Sequence, residues 1–450
     1  MPKNNFSEIE SLGNLKKIMA SLDVTRLIVK KLSPNDNSKN QIYLGHDFQS
    51  LNIIPFRSIT ADTTLDSSGS KRDRFKAPVD LLWADAEGRL CPAPDAQMIL
   101  YPKYPEVRMS GFLNGCDFAP AEHLRSRLEG RLLFLGIRAN GQIIGHVTGP
   151  DNPASRELHA QKNLEQIGVF LALPLEGQAK DTKRKLITAL RDVHLEGWID
   201  SVILRNGELI PYSASNGGGY TLEAKLGVIP NGISEPDFLG WEIKQHGVTA
   251  LDKPHSGSPV TLFTPEPTAG IYKDKGVEFF IRKFGYADKN GKPDRLNFGG
   301  IYRYGCKVAS TGLTLQLVGY NCETRKIENP DGGITLLSQD GEPAAIWLYA
   351  DLMRHWNRKH LQAAYIPSLS RIEPSRQYRY GNIIELGKGT DFLKVLEAIT
   401  KGIVYYDPGI KLENASTSRP KTKRRSQFRI KSAELKGLYH EMELVDVMGE

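Results

Sequence analysis

Trp241, Glu242, Ile243 and Lys244 alternate apolar and charged side chains, the pattern of a strand with two unlike faces. Successive side chains of a strand point to opposite faces, so Trp241 and Ile243 share one and Glu242 and Lys244 the other. The apolar pair suits a core and the charged pair a cleft. Upstream, the glycine cluster Asn216-Gly-Gly-Gly219 precedes Tyr220-Thr-Leu-Glu223, which reads as a helix carrying Glu223. Asp237 follows Pro236, which biases its neighbourhood toward extended or turn geometry. Helix, turn and strand thus direct Glu223, Asp237, Glu242 and Lys244 toward one cleft.

These residues also carry a resemblance. The pattern Asp-x4-Glu-x-Lys (Asp237, Glu242, Lys244) sits fourteen residues after Glu223. Together with Leu222-Glu223, Leu226-Gly227, Asn231, Pro236-Asp237-Phe238 and Gly240, it resembles the MvaI/BcnI restriction endonucleases. Those are relatives of the mismatch-repair nickase MutH within the PD-(D/E)xK nuclease superfamily. Val260-Thr-Leu-Phe-Thr-Pro-Glu-Pro267 looks like the family's next core strand, and Arg424-Arg-Ser-Gln-Phe-Arg-Ile430 like its late basic segment, which approaches DNA. The likeness runs from about residue 180 to the end of the sequence. It implies an α/β fold with a PD-(D/E)xK restriction-endonuclease-like core, a mixed central sheet flanked by helices. It also implies cleavage of double-stranded DNA, in the manner of a type II restriction enzyme that acts as a monomer.

A phosphodiester repels nucleophiles and has a poor leaving group, so a barrier of about 8–23 kcal/mol relative to water must be removed. A divalent metal does this by neutralising oxygens and acidifying bound water. Magnesium keeps several waters and needs only one or two carboxylates beside the substrate phosphate. Asp237 and Glu242, with the backbone carbonyl of Ile243, meet that need, and Mg2+ is the expected cofactor. Lys244 is placed to orient the attacking water or stabilise charge on phosphorus oxygens. Glu223 stands across the cleft, tuning Lys244 or helping to hold a second ion. The glycine cluster lacks the Lys-Ser/Thr ending of a nucleotide-binding loop, so it reads either as a flexible turn or as backbone that approaches a DNA phosphate.

The densest basic run is Arg419-Pro-Lys-Thr-Lys-Arg-Arg-Ser-Gln-Phe-Arg-Ile-Lys431. Lys421, Lys423, Arg424 and Arg425 suit salt-dependent phosphate contacts, and Gln427 and Arg429, alternating with Phe428 and Ile430, suit a groove-lining strand. His246 and His255 follow the acidic strand and are candidate base contacts, against the commoner role of a hydrogen-bonded structural histidine.

At 450 residues the chain is long for one core, and two domains are expected. Residues 1–175 form an α+β N-terminal domain without a recognisable family, with a linker near Leu175–Asp181 and the nuclease domain over 181–450. The N-terminal stretch shows a hairpin signal at Asn140-Gly141 and a helical pattern over Ser155 to Leu173. It also has a charged loop, Ser67 to Arg74, and a mix of aromatics and cations in Tyr101-Pro-Lys-Tyr-Pro-Glu-Val-Arg108. Further helices are expected at Asp181–His194, Trp347–Leu361 and Leu393–Ile399, and a strand at Gly402–Tyr406. A net charge of +7 is compatible with a polyanionic partner but weak evidence alone. Four cysteines without zinc spacing predict free thiols, and the absence of a long apolar run predicts a cytoplasmic protein without membrane contact. A methyltransferase that protects host DNA is the expected companion of sequence-specific restriction. The alternatives are a strand-specific nickase, a modification-dependent nuclease and a silent DNA-binding module.

Overall fold

The computed structural model describes all residues except 1–5, 35–40, 46, 47, 49, 63, 67, 71, 105, 139, 162, 163, 176–181, 231–236, 257, 258, 450 and the side chains of 357–359. The expected linker falls almost wholly outside the described residues, as do Asn231 and Pro236 of the acidic segment. Chain contacts divide the molecule into two units, residues 1–180 and 181–450.

The first unit holds two sheets. A seven-stranded sheet runs in the order Gln166–Ile167, Phe170–Ala172, Val24–Lys31, Leu132–Arg138, Ile143–Thr148, Leu81–Ala84, Leu90–Pro92. Its Leu27, Val29, Leu132, Phe134 and Ile144 bury against Leu12, Leu15 and Met19 of the helix Leu12–Ser21. The second sheet has five strands: β1 (Ile42–Gly45), β2 (Thr60–Ala61), β3 (Phe75–Pro78), β4 (Gln97–Tyr101) and β5 (Glu106–Ser110), in the order β1-β5-β4-β3-β2. The Asn140-Gly141 signal joins two antiparallel strands, with Ile137 opposite Ile143. The helix expected over Ser155 to Leu173 is confined to Pro153–Ala160. Beyond it the chain turns at Gly168 (φ 59°), and Phe170–Ala172 pairs with the strand at Ile28 and Val29, so sheet pairing overrides the helical pattern.

The second unit begins with helix α1 (Thr182–Leu195), whose Leu186, Ile187, Leu190 and Val193 are all buried. They pack on a sheet that contains the acidic strand. After helix α2 (Gly217–Lys225) come β6 (Glu242–Gly247), β7 (Val260–Phe263), β8 (Gln362–Arg371), β9 (Gln377–Tyr380), β10 (Ile383–Lys388), β11 (Lys421–Lys423), β12 (Phe428–Ile430) and β13 (Glu441–Asp446). The strand Ile199–Asp200, β9, β8, β10 and β13 follow one another in the central sheet, and β6 joins β8 in parallel. All the other pairings in this sheet are antiparallel, so it is mixed. One face of it, with Ile243, Ala364, Ile366, Ile384 and Leu386, forms the core under α1 and α2. Fully burying a side chain of this size contributes about 1.5–3 kcal/mol. Trp347 lies in the strand Pro343–Leu348, and the helix expected there starts at Tyr349. The expected Gly402–Tyr406 strand shortens to Tyr405–Tyr406, while a helix spans Phe392–Thr400.

Candidate active site

A tight turn builds the acidic site. Leu239 and Gly240 both have positive φ, 49° and 87°, while Phe238 and Trp241 exchange backbone hydrogen bonds of 2.9 and 2.8 Å. Positive φ at both central residues is the hairpin turn whose twist suits the flanking chain. It folds Asp237 back beside the start of β6, where its Oδ2 accepts the Ile243 N–H at 3.0 Å. The four-residue gap between Asp237 and Glu242 is the length of this turn.

At the start of β6, Trp241 and Ile243 enter the core and Glu242 and Lys244 lie on the other face. The Glu242 side chain is 1% exposed and accepts a 2.5 Å hydrogen bond from Lys244 Nζ. Burial works to lower the lysine's pKa, but the charges of Glu242, Asp237 and Glu223 outweigh it and raise it above the ordinary range. All three carboxylates therefore act on one ammonium. They do not form a three-carboxylate ligand cluster, since none is present among the described residues. The remaining hard oxygen donors are Asp237, Glu242 and the Ile243 carbonyl.

Helix α2 carries Glu223, and the glycine cluster explains how the helix comes so close. Gly217 and Gly218 lie within α2 rather than in a turn before it. A Cβ on Gly217 would stand 2.3 Å from Ser201 Oγ, and one on Gly218 would stand 2.8 Å from Gln245 Oε1 of β6. Tyr380 Oη donates to the Gly218 carbonyl at 2.7 Å. Gly217 and Gly218 are thus packing residues that seat the helix against the sheet, which corrects the flexible-turn expectation, while a Cβ on Gly219 would meet nothing within 4 Å.

Sequence reading missed the residues beside β6. Register places Tyr365 of β8 opposite Lys244, and Glu385 of β10 opposite Tyr365, so the three share a face. Tyr365 and Tyr439 hydroxyls lie 2.8 Å apart, both phenols pushed up by burial with the Glu242 charge adding to it. Glu385 is also raised by burial, against the pull of His255, whose Nδ1 lies 3.8 Å away. Its one sequence signal is a carboxylate interrupting the apolar run Ile383-Ile-Glu-Leu386.

The histidines separate. His246 is 3% exposed, bonds the Pro254 carbonyl at 2.9 Å and is lowered by burial, the profile of a structural histidine. His255 is exposed. In the basic segment Lys421, Lys423, Arg424 and Arg425 are exposed, the lysines on an edge strand that pairs with Gly409–Glu413. Phe428 and Ile430 of β12 are buried, and Phe428 stacks on Phe263 of β7 at 4.9 Å. Gln427 is half-buried. Arg429 faces inward instead of toward a groove: its guanidinium bonds Asp407 at 2.8 Å and the Pro259 carbonyl at 2.7 Å.

Descent places the chain among the restriction endonucleases, a class of DNA-cleaving nucleases. The model of the MvaI/BcnI restriction endonuclease family matches residues 187–439, more than half of the sequence. The chain belongs to that family. Among solved structures it is similar to the restriction endonuclease MvaI bound to its cognate DNA substrate, with 20% identity over 59% of this chain and 99% of that one, at a TM-score of 0.44. The DNA-free form of MvaI gives 19% identity over 59% and 98%, at a TM-score of 0.34. No curated protein matches the chain. No helix among the described residues is long and apolar enough to cross a membrane.

Proposed function

We propose that this protein is a Mg2+-dependent endodeoxyribonuclease that cuts double-stranded DNA at specific sequences and restricts foreign DNA. The observation that carries the reading is the fold-back of Asp237 onto β6, which sets two carboxylates and a lysine at one strand start. The donor set fits a hard cation: Asp237, Glu242 and the Ile243 carbonyl would hold Mg2+, which supplies charge neutralisation at the phosphate and an acidified water.

The carboxylates around Lys244 favour its charged form and raise its pKa. It serves as a charged hydrogen-bond donor to the phosphate oxygens or the attacking water. Glu223 acts on the site through Lys244, favouring its charged form. Tyr365 and Tyr439, held neutral, close the protein side of the site. Lys421, Lys423, Arg424 and Arg425 offer phosphate contacts, Gln427 and His255 reach base edges, and Arg429 positions β12. Site-specific cutting in a living cell requires a methyltransferase that shields host DNA.

The test is digestion of unmethylated phage and plasmid DNA by wild type and Asp237→Ala, with magnesium or EDTA. Discrete fragments from wild type with magnesium alone support the reading. Circles that are nicked and never linearised would replace it with a strand-specific nickase. Intact but shifted DNA in every condition would point to a binding module.

A further inference from the structure

Two segments of the N-terminal unit that the nuclease chemistry does not use, the charged loop ending at Arg74 and the stretch Tyr101–Arg108, meet on one surface. Lys103 bonds Asp73 at 2.7 Å, linking the β4–β5 turn to the loop. The open face of the five-stranded sheet runs through Tyr43, Arg108, Ile99, Lys76 and Thr60, which are successive register partners across β1, β5, β4, β3 and β2. In this face lies a cavity of about 410 Å³, lined by Arg72, Arg74 and Lys76 with Gln41, Gln97 and Ser110, and with Ile99 and Leu65 as its apolar wall.

The cations are held in place from below. Asp62, 2% exposed, accepts from Thr64 N–H at 3.0 Å, Thr64 O–H at 2.8 Å, Arg74 Nε at 2.6 Å and Lys76 Nζ at 3.0 Å. Burial opposes its charge, but these hydrogen bonds outweigh it and keep its carboxyl well below the usual range. Among the described residues, no carboxylate lines the cavity itself. Arg74 and Lys76 stand over one buried carboxylate and are already ordered by it, which lowers the entropic cost of binding an anion there. The volume falls within the range of about 300–1,000 Å³ for small-ligand sites, more than a phosphate alone fills. Leu65, 60% exposed, suits an apolar ring face, and the amides of Gln41 and Gln97 suit base edges. Tyr104, 75% exposed at the neighbouring turn, and Tyr43, 41% exposed, add surfaces for stacking along the strand.

We infer that this cavity seats one unstacked nucleotide of a DNA strand, its phosphate on Arg72, Arg74 and Lys76 and its base against Leu65. The inference is independent of the nuclease reading, because the seat needs neither the acidic site nor a metal. A nucleotide already unpaired costs least to extrude, so a mismatch should favour binding.

The experiment uses the full chain in EDTA, where cleavage is suppressed, and measures affinity for a short duplex with and without a central mismatch. Wild type is expected to prefer the mismatched duplex severalfold. Arg72→Glu alters a side chain whose hydrogen bond goes to the Leu65 carbonyl, so the fold should survive. It should weaken mismatch binding about tenfold and lower the log–log salt slope by about 0.9, with the preference abolished. Gln97→Ala should reduce the preference and keep the slope. Equal affinity for the two duplexes in wild type, or an unchanged preference in Arg72→Glu, would overturn the inference. So would thermal stabilisation by inorganic phosphate equal to that by DNA, since the cavity would then be a small-anion site.

Discussion

Each unit buries a carboxylate against cations, and the two balances have opposite signs. Around Asp62 stand Arg74 and Lys76, two cations to one acid. Around Lys244 stand Glu223, Asp237 and Glu242, three acids to one cation. Each cluster suits a ligand of the other charge: a phosphate in the first unit and a metal cation in the second. A buried charge pair by itself says little about function; the sign of the groups gathered around it is what suggests a ligand.

The comparison breaks first at Lys244. Lys244→Ala should reduce the single-turnover cleavage rate about 10²–10⁴-fold while DNA affinity is kept. A rate near wild type would mean that the lysine only balances charge in the fold.

Asp62→Ala removes the anchor on the other side and should cost about 1–3 kcal/mol in denaturant unfolding of the first unit. The sign of its pH dependence follows from the depressed carboxyl. Its stabilisation is complete above the unfolded value of about 3.9 and is lost as pH falls through the folded value. The gap between wild type and variant should therefore narrow under acid. A gap independent of pH would show that lost packing, and not the charge, dominates.

The glycines of α2 provide a control of similar size. Gly218→Ala should cost about 1–3 kcal/mol by overpacking against Gln245 and Tyr378. Gly219→Ala, with nothing within 4 Å of its Cβ, should be neutral or stabilise by up to about 1 kcal/mol. Equal effects at the two positions would remove the packing role assigned to the cluster. The smallest effect per residue is expected on the basic strand. Replacing Lys421, Lys423, Arg424 and Arg425 singly by alanine should each lower the log–log salt slope of binding by about 0.9 if that side chain meets a phosphate.

Family membership was legible because the characteristic residues lie in one contiguous segment, where spacing alone carries information. Helix α1 was equally legible, since Leu186, Ile187, Leu190 and Val193 make one apolar stripe. The face assignment of β6 followed from alternation. What escaped depends on residues far apart in the chain. Tyr365, Glu385 and Tyr439 come near Glu242 through strand register and packing, which no local pattern encodes. Phe170–Ala172 became a strand because Ile28 and Val29 offered it an edge. Arg429 looked like a groove contact from its alternation with Phe428 and Ile430, yet Asp407, just past the neighbouring strand Tyr405–Tyr406, claims it. The glycine cluster misled for another reason: contact with Ser201, Gln245 and Tyr378, and not backbone freedom, fixes the need for glycine there.

The most direct test of the account measures DNA binding and DNA cleavage together in wild type and Asp237→Ala across a magnesium titration. The account expects equal affinity in EDTA, a wild-type cleavage rate that rises and saturates with magnesium, and no cleavage by the variant at any concentration. Cleavage by Asp237→Ala at the wild-type rate, or wild-type cleavage that persists in EDTA, would contradict it.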